Sequence, residues 1–527
     1  MESPVVARFG RRLSVAILVA IQAATLLPFR FTTEFGERDS YRMLLGLLDT
    51  FAQRAPFNSP LMYNREASFG YYGLFYVLAP LLGNGPQALT AAMNWLAVFS
   101  VILFVIPAYL IVERLLGRQV AIASMLILAA TPVWWYCGLY GHPITTALLL
   151  FFTGLAILCR YHRAPAIGVR LTVLGLFAAA LTIRFDTVLL FVALVAVLWA
   201  RRKVLDASVV KEASLYALGS MALFAIAQSC LPRVTSGRGL PSIATLLATF
   251  HAPSHYISGL RDSVIVLGQG FTGVLLLAIP VSAWILFRKR DYPALLFVSG
   301  AIVLNLVFWL PNPSPARHYL MMAPAMSASA ALVALTLVSW LRVRLPSPAW
   351  LAGLAVAIAM VGASVGLDRY GTGRLSYFRS PFAKPAEWKV ETDRAERIAA
   401  ALVDLPPLAT PVVVLCDANL VIAEMEKLDE AASKGRTGGS AGSRSAATSI
   451  ARQEIHGYLS IERGSNRFIM LEQAWDEDAV RALDQSGLYP GLPVLVAPYL
   501  SNIPYQGLRP RLLAPARTEG PAGHTAH

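Results

Sequence analysis

Acidic side chains gather in one stretch of this 527-residue chain, the polar loop from Phe29 to Glu66, whose centre reads Glu34-Phe-Gly-Glu37-Arg38-Asp39-Ser40-Tyr41. Acids are scarce in the apolar body that follows. A carboxylate cluster facing such a body points to chemistry at a membrane interface, where a carboxylate can accept the proton of a hydroxyl. Glu34 and Glu37 are close enough in sequence to raise the pKa of Asp39 by like-charge repulsion. Cations stand elsewhere. Arg184-Phe-Asp186 interrupts a later apolar run, and Arg317-His318-Tyr319 follows Pro311-Asn-Pro-Ser-Pro, whose prolines hold a loop. His251 and His255 have the i,i+4 spacing of two metal ligands, without an evident third. A plainer reading stands beside each of these. Asp39 could cap a helix starting near Ser40. The other acids could be solvated, and Arg184 could pair with Asp186 or with lipid headgroups. Tyr71, Tyr72, Phe75 and Tyr76 suit an interfacial aromatic belt.

The elements that must position these residues are set by composition. The chain is 56% hydrophobic and 14% charged, where soluble domains carry about 25% charged residues. With a mean hydropathy of +0.56 and repeated apolar runs, it reads as an α-helical polytopic membrane protein. The net charge of +14 lies in short clusters between apolar runs, as the positive-inside rule expects. No basic, aromatic-interleaved module is present, so nucleic acid is not an expected partner. Cys137, Cys159, Cys230 and Cys416 have the spacing of neither a zinc site nor a disulfide framework.

Arg8, Arg11 and Arg12 precede the apolar run Leu13 to Phe29, which reads as an uncleaved first span with a cytoplasmic N-terminus. The acidic loop over residues 30–68 is then outside. Phe69 to Leu82 falls short of the roughly 20 residues needed to cross and reads as an interfacial or re-entrant segment. Full spans are expected over residues 87–112, 119–135, 144–158, 213–231, 263–287, 293–310, 320–341 and 350–367. Leu171 to Ala200 reads as two short spans with Arg184 and Asp186 at an outer tip. On one helix both charges would lie at mid-membrane, and two residues apart they would pair poorly. Every inner loop is then basic, and the pattern predicts about eleven spans with the C-terminus outside.

Residues 1–368 therefore form an expected membrane domain, and the composition changes from about Arg369. Glu387 to Leu405 and Asp476 to Ser486 read as helices, and Pro411 to Cys416, Arg467 to Leu471 and Pro493 to Ala497 as buried strands. Residues 369–527 are expected to form an extracytoplasmic α/β domain, with a flexible insertion over 433–450 and a disordered tail after Arg511. No internal repeat, phosphate-binding glycine loop or zinc-protease motif is evident.

One span, an outer loop with Asp39-Ser40-Tyr41, then Pro60-Leu-Met-Tyr63 and the aromatic, proline-bounded Gly70-Tyr-Tyr-Gly-Leu-Phe-Tyr76-Val-Leu-Ala-Pro80 form an ordered pattern. Ala129-Ala-Thr-Pro132 to Tyr140, a short-span pair with Arg184 at its tip, and Arg317-His318-Tyr319 before a late span complete it. Over residues 10–370 this resembles the GT-C membrane glycosyltransferases, the superfamily of protein O-mannosyltransferases and aminoarabinose transferases.

The resemblance implies a GT-C-like fold and transfer of a sugar from a polyprenyl-phosphate-linked donor to an envelope acceptor, with membrane lipid as the medium. It implies Asp39 as base with Glu37 as a second acid, and Arg184, Arg317, His318 and Tyr319 at the donor phosphate. Tyr63, Arg65, Glu66 and His142 would line the acceptor or sugar cleft. No cofactor is implied, and a divalent metal stays open. The arginine-rich, lysine-poor composition suggests a GC-rich bacterium, so the expected location is the bacterial inner membrane with the outer side periplasmic or extracellular. A transporter or flippase of lipid-linked saccharide would instead spread charges through span interiors, and an assembly protein would work through its outer domain alone.

Overall fold

Ten consecutive buried residues, Val120 to Ala129, make α5 (Arg118–Ala129) the helix around which the larger of two compact units packs. The computed structural model describes residues 4–30, 38–53, 65–139, 141–161, 165–231, 253–309, 316–341, 347–370, 384–407, 412–416, 418–436, 451–455, 458–471 and 494–496. The larger unit comprises Met1–Gly36, Asn64–Val77 and Ala91–Pro385; the smaller comprises Glu37–Tyr63, Leu78–Thr90 and Ala386–His527.

In chain order the helices are α1 (Pro4–Leu26), α2 (Arg38–Gln53), α3 (Arg65–Leu82), α4 (Pro86–Leu116), α5, α6 (Pro132–Leu139), α7 (Ile144–Arg160), α8 (Ile167–Ile183), α9 (Phe191–Arg202) and α10 (Ala207–Ser229). They continue with α11 (Pro253–Arg288), α12 (Tyr292–Trp309), α13 (Ala323–Trp340), α14 (Pro348–Tyr370), α15 (Lys384–Val403) and α16 (Ala418–Arg436). In the larger unit α13 and α14 both pack on α5. Small residues allow this. Ala323 to Leu332 of α13 are all buried, and a Cβ on Gly353 of α14 would stand 2.9 Å from Ala123 Cα. Close backbone approach through small residues is how helices associate where no water drives them together.

The opposite faces are apolar and exposed. Leu218 is 70% exposed, Leu277 73% and Trp340 74%, which marks a surface that meets lipid rather than water. Among the described residues, six helices are long and apolar enough to cross a bilayer, or seven if the pair α5 and α6 counts as one bent span. The chain is a multi-pass membrane protein. The charge pattern predicts about eleven spans, and one of those expected spans is bent. Pro132 has no N–H and disfavours helix at the residue before it, so the expected span 119–135 bends by 62° at this break. Segments 68–82, 144–160, 167–183 and 348–364 are apolar but of 10–17 residues.

Among the described residues of the smaller unit, five strands form one sheet: β1 (Val412–Leu415), β2 (Ala451–Ile455), β3 (Tyr458–Arg463), β4 (Asn466–Leu471) and β5 (Val494–Val496), ordered β2-β3-β4-β1-β5. β1 is parallel to both β4 and β5, while β2, β3 and β4 run antiparallel. Phe468 and Met470, two apart on β4, are both buried, the period-2 pattern of a strand with one face packed. Three strands and the helix α15 fall where the sequence predicts them. β2, β3 and α16 are additions, and α16 runs on to Arg436, four residues into the segment expected to be a flexible insertion. The helix expected over 476–486 and the tail lie outside the described residues.

α16 packs on α2, the helix of the acidic loop. Its residues Leu420, Ile422, Ala423 and Met425 are fully buried, as are Tyr41, Met43 and Leu44 on α2. Glu430 of α16 accepts a hydrogen bond at 3.5 Å from the backbone N–H of Gln87, in the first turn of α4. The β3–β4 turn is tied down by Arg463, which donates to both carboxylate oxygens of Asp429 at 2.7 and 3.2 Å and to Val403 O at 3.0 Å.

Candidate functional site

The break between α8 and α9 carries a buried ion pair inside the larger unit. Two charges two residues apart cannot face each other on a helix, and the chain resolves this by leaving the helix. α8 closes with Arg184 N–H donating to Ala180 O at 2.8 Å. Arg184 itself is extended, with φ −154 and ψ 107, and Phe185–Leu190 form a 3₁₀ turn. The guanidinium then folds back, and its Nε donates to the two carboxylate oxygens of Asp186 at 3.0 and 3.2 Å. Thr187 Oγ1 donates to Arg184 O at 2.8 Å and locks the turn. Leu171 to Ala200 is broken into two helical segments, and the charges expected at their outer tip are buried: Arg184 is 6% exposed and Asp186 7%.

Arg184 Nη2 lies 3.3 Å from His318 Nδ1. Arginine can only donate, so Nδ1 accepts and the ring proton of His318 is on Nε2. His318 belongs to the 3₁₀ segment Ala316–Met322, and its ring packs against Trp309 at the end of α12 at 4.3 Å between centroids. Tyr319, next in the same segment, is fully buried. Arg317 lies on this segment too, but its side chain is outside the described residues.

His142 stands between α6 and α7 and is 1% exposed. The Ile144 N–H donates to its Nδ1 at 3.4 Å, which again leaves the proton on Nε2. Burial holds its pKa well below the ordinary histidine value, and the charge of Arg184 pushes it down further. His142 is therefore a neutral imidazole at physiological pH. Tyr71 of α3 anchors this turn from the other side, donating to Gly141 O at 2.6 Å.

The aromatic belt expected around Tyr71 is corrected by these contacts. Tyr71, Tyr72 and Phe75 are buried, because Gly70 lets α3 approach α8 so closely that a Cβ there would lie 2.2 Å from Thr182 Oγ1. The anchoring roles of Tyr71 and Trp309 escape sequence reasoning, although the glycine beside Tyr71 is a legible sign of close approach.

Arg184, Asp186 and His318 come together, with His142 in the field of Arg184. The expected carboxylates are not among the described side chains. Asp39 lies in the first turn of α2, which starts at Arg38 rather than after it, in the smaller unit. The side chain of Asp39 and those of Arg65 and Glu66, at the start of α3, lie outside the described residues, as do Glu37, Tyr63 and His251 entirely. Among the described residues no group of three or more His, Cys, Asp or Glu could hold a metal ion. Chemically, the cluster is an oriented guanidinium beside two imidazoles, a donor set suited to a phosphate oxygen.

No protein-family model and no curated protein matches the chain. Among solved structures, it is similar to ArnT from Cupriavidus metallidurans bound to undecaprenyl phosphate, at 14% identity and a TM-score of 0.48, over 80% of this chain and 85% of that one. It is also similar to the archaeal oligosaccharyltransferase AglB from Archaeoglobus fulgidus, in complex with an inhibitory peptide and a dolichol-phosphate, at 13% identity and a TM-score of 0.44. That match covers 80% of this chain and 64% of the archaeal one, so the chain spans less than two thirds of its length. At these identities and TM-scores neither likeness says what the chain does.

Proposed function

We propose that the protein transfers a sugar from a polyprenyl-phosphate-linked donor to an envelope acceptor, a glycan, lipid or protein, at the outer face of a bacterial inner membrane. One observation carries this reading: a buried guanidinium, oriented by Asp186 and joined to His318, at a helix break inside a polytopic apolar body. A buried cation of fixed direction suits an anion delivered from the bilayer, and the apolar faces around it suit the donor's lipid.

In this reading Arg184 meets the leaving phosphate, with Arg317, His318 and Tyr319 beside it. The acceptor hydroxyl oxygen attacks the anomeric carbon. The bond from that carbon to the phosphate oxygen breaks, and its electron pair leaves with the polyprenyl phosphate. The hydroxyl proton passes to Asp39, with Glu37 as its neighbour, and configuration at the anomeric carbon inverts. Tyr63, Arg65, Glu66 and His142 line the acceptor or sugar cleft. Because the guanidinium is held before substrate arrives, meeting the developing charge needs little reorganisation. As written, the reaction needs no cofactor.

The test is transfer from a polyprenyl-phosphate sugar in membranes carrying Arg184→Lys or Asp39→Asn, normalised to folded protein. Each substitution is expected to lower turnover by about 10²–10³-fold, the usual effect of removing one transition-state partner. Wild-type turnover in Asp39→Asn removes that carboxylate from the mechanism, and wild-type turnover in both variants overturns the reading.

A further inference from the structure

A second cluster of arginines sits at the far end of α8 from Arg184, a separation of roughly 25 Å at 1.5 Å per residue. There the start of α8, the end of α9 and the start of α10 carry Arg170, Arg201, Arg202, Lys203 and Lys211 against Asp206 and Glu212. Arg201 is the unusual member. Its side chain is 2% exposed. Its Nη2 pairs with Glu212, while Nε and Nη1 are buried and find no acceptor among the described residues. Arg202, a third exposed, donates to the same Glu212 oxygen at 2.8 Å and to Ser208 at 2.6 Å. The hydroxyl of Tyr216 is likewise buried without a partner among the described residues. One carboxylate thus serves two guanidinium groups, and donors remain in excess.

The surface beside this cluster is apolar and open. Ile167 and Leu171 on α8, Val204 after α9, and Val210 and Leu218 on α10 are each at least 54% exposed. Basic donors bordering an exposed apolar face match the two halves of a phospholipid: an anionic phosphate, which arginine recognises through paired N–H groups, and acyl chains. A soluble phosphate ester has no use for the apolar half. We propose that this end of α8, α9 and α10 binds the phosphate headgroup of an anionic membrane phospholipid, held by Arg201 and Arg202, with its acyl chains along α8 and α10. The assignment is independent of the proposed transferase reaction.

The probe is phosphatidylglycerol added to the purified full-length chain in detergent, with retention followed by native mass spectrometry and by the unfolding temperature. One phosphatidylglycerol is expected to stay bound, phosphatidylcholine is not, and the unfolding temperature is expected to rise with the anionic lipid only. Arg202→Gln, at a partly exposed position, keeps the fold and is expected to weaken retention by about tenfold, the effect of losing one charge-assisted partner. Arg201→Lys, which keeps the charge but not the fork, is expected to weaken it as well. Equal retention of phosphatidylglycerol in wild type and both variants overturns the proposal. So does equal stabilisation by inorganic phosphate alone, which would make this a site for a soluble anion.

Discussion

At the scale of single residues, the ion pair of Arg184 and Asp186 makes sense of a sequence that looks unfavourable. A buried charge is costly unless paired and hydrogen-bonded, and both conditions are met once the chain leaves the helix at Arg184. Removing one partner strands the other. Arg184→Gln is expected to cost about 3–5 kcal/mol of stability, and the double change Arg184→Gln with Asp186→Asn less than Arg184→Gln alone. Thermal unfolding of the three proteins checks this, and a double variant no more stable than Arg184→Gln would contradict the pairing. His142 gives a pH signature. Its folded pKa lies below the unfolded value of about 6.5, so the unfolded chain binds the proton more readily. The stability this contributes is complete above about pH 6.5 and is lost as pH falls below it. The unfolding temperature is therefore expected to drop from pH 7.5 to pH 5.5, and His142→Gln is expected to flatten part of that drop. An identical slope in the variant would show that His142 is not the group responsible.

At the scale of elements, the site is held by close helix approach rather than by many polar contacts. Gly70 is the clearest instance. A Cβ there meets Thr182 Oγ1 at 2.2 Å and the Thr182 backbone carbon at 2.9 Å. Gly70→Ala is expected to push α3 from α8, disturb the bond from Tyr71 to Gly141, and cost about 1–3 kcal/mol, as overpacking does. Thr182→Ala in the same chain is expected to restore only part of the loss, since the backbone contact remains. Full restoration would place the clash in the side chain alone. In the smaller unit, α16 does the same for the acidic loop: it carries the apolar face on which α2 packs.

At the scale of the whole molecule, the exposed apolar faces and the long apolar helices among the described residues define a protein built for a bilayer. Its orientation is a charge argument. The basic residues flanking α9 and α10 are expected inside, which places the end of α10 outside. Cys230 follows that helix and is exposed, while Cys137, Cys159 and Cys416 are buried. A membrane-impermeant maleimide added to intact cells is therefore expected to label Cys230 and to spare the other three. Labelling of Cys230 only after permeabilisation would invert the topology, and the proposed side of sugar transfer with it.

By itself, the sequence determined the bilayer environment, the break at Arg184, α15 and three strands of the sheet. Each follows from local composition: long apolar runs, a charge pair that a helix cannot accommodate, and short continuous runs of Val, Leu, Ile and Phe. The meeting of Arg184 with His318, 134 residues apart, was legible only as two separate polar groups near span ends. Whether two such groups share a site depends on which helices pack together, and that is decided by small residues such as Gly70 and the α13 alanines, whose partners are distant in sequence. Tyr71 read as lipid-facing because an aromatic near an apolar segment suits the interface and the core equally well. Only the approach of α3 to α8 chose the core. The acidic loop remains the counterpart case: sequence singled out Asp39, and tertiary structure assigns its helix to the unit built around α16.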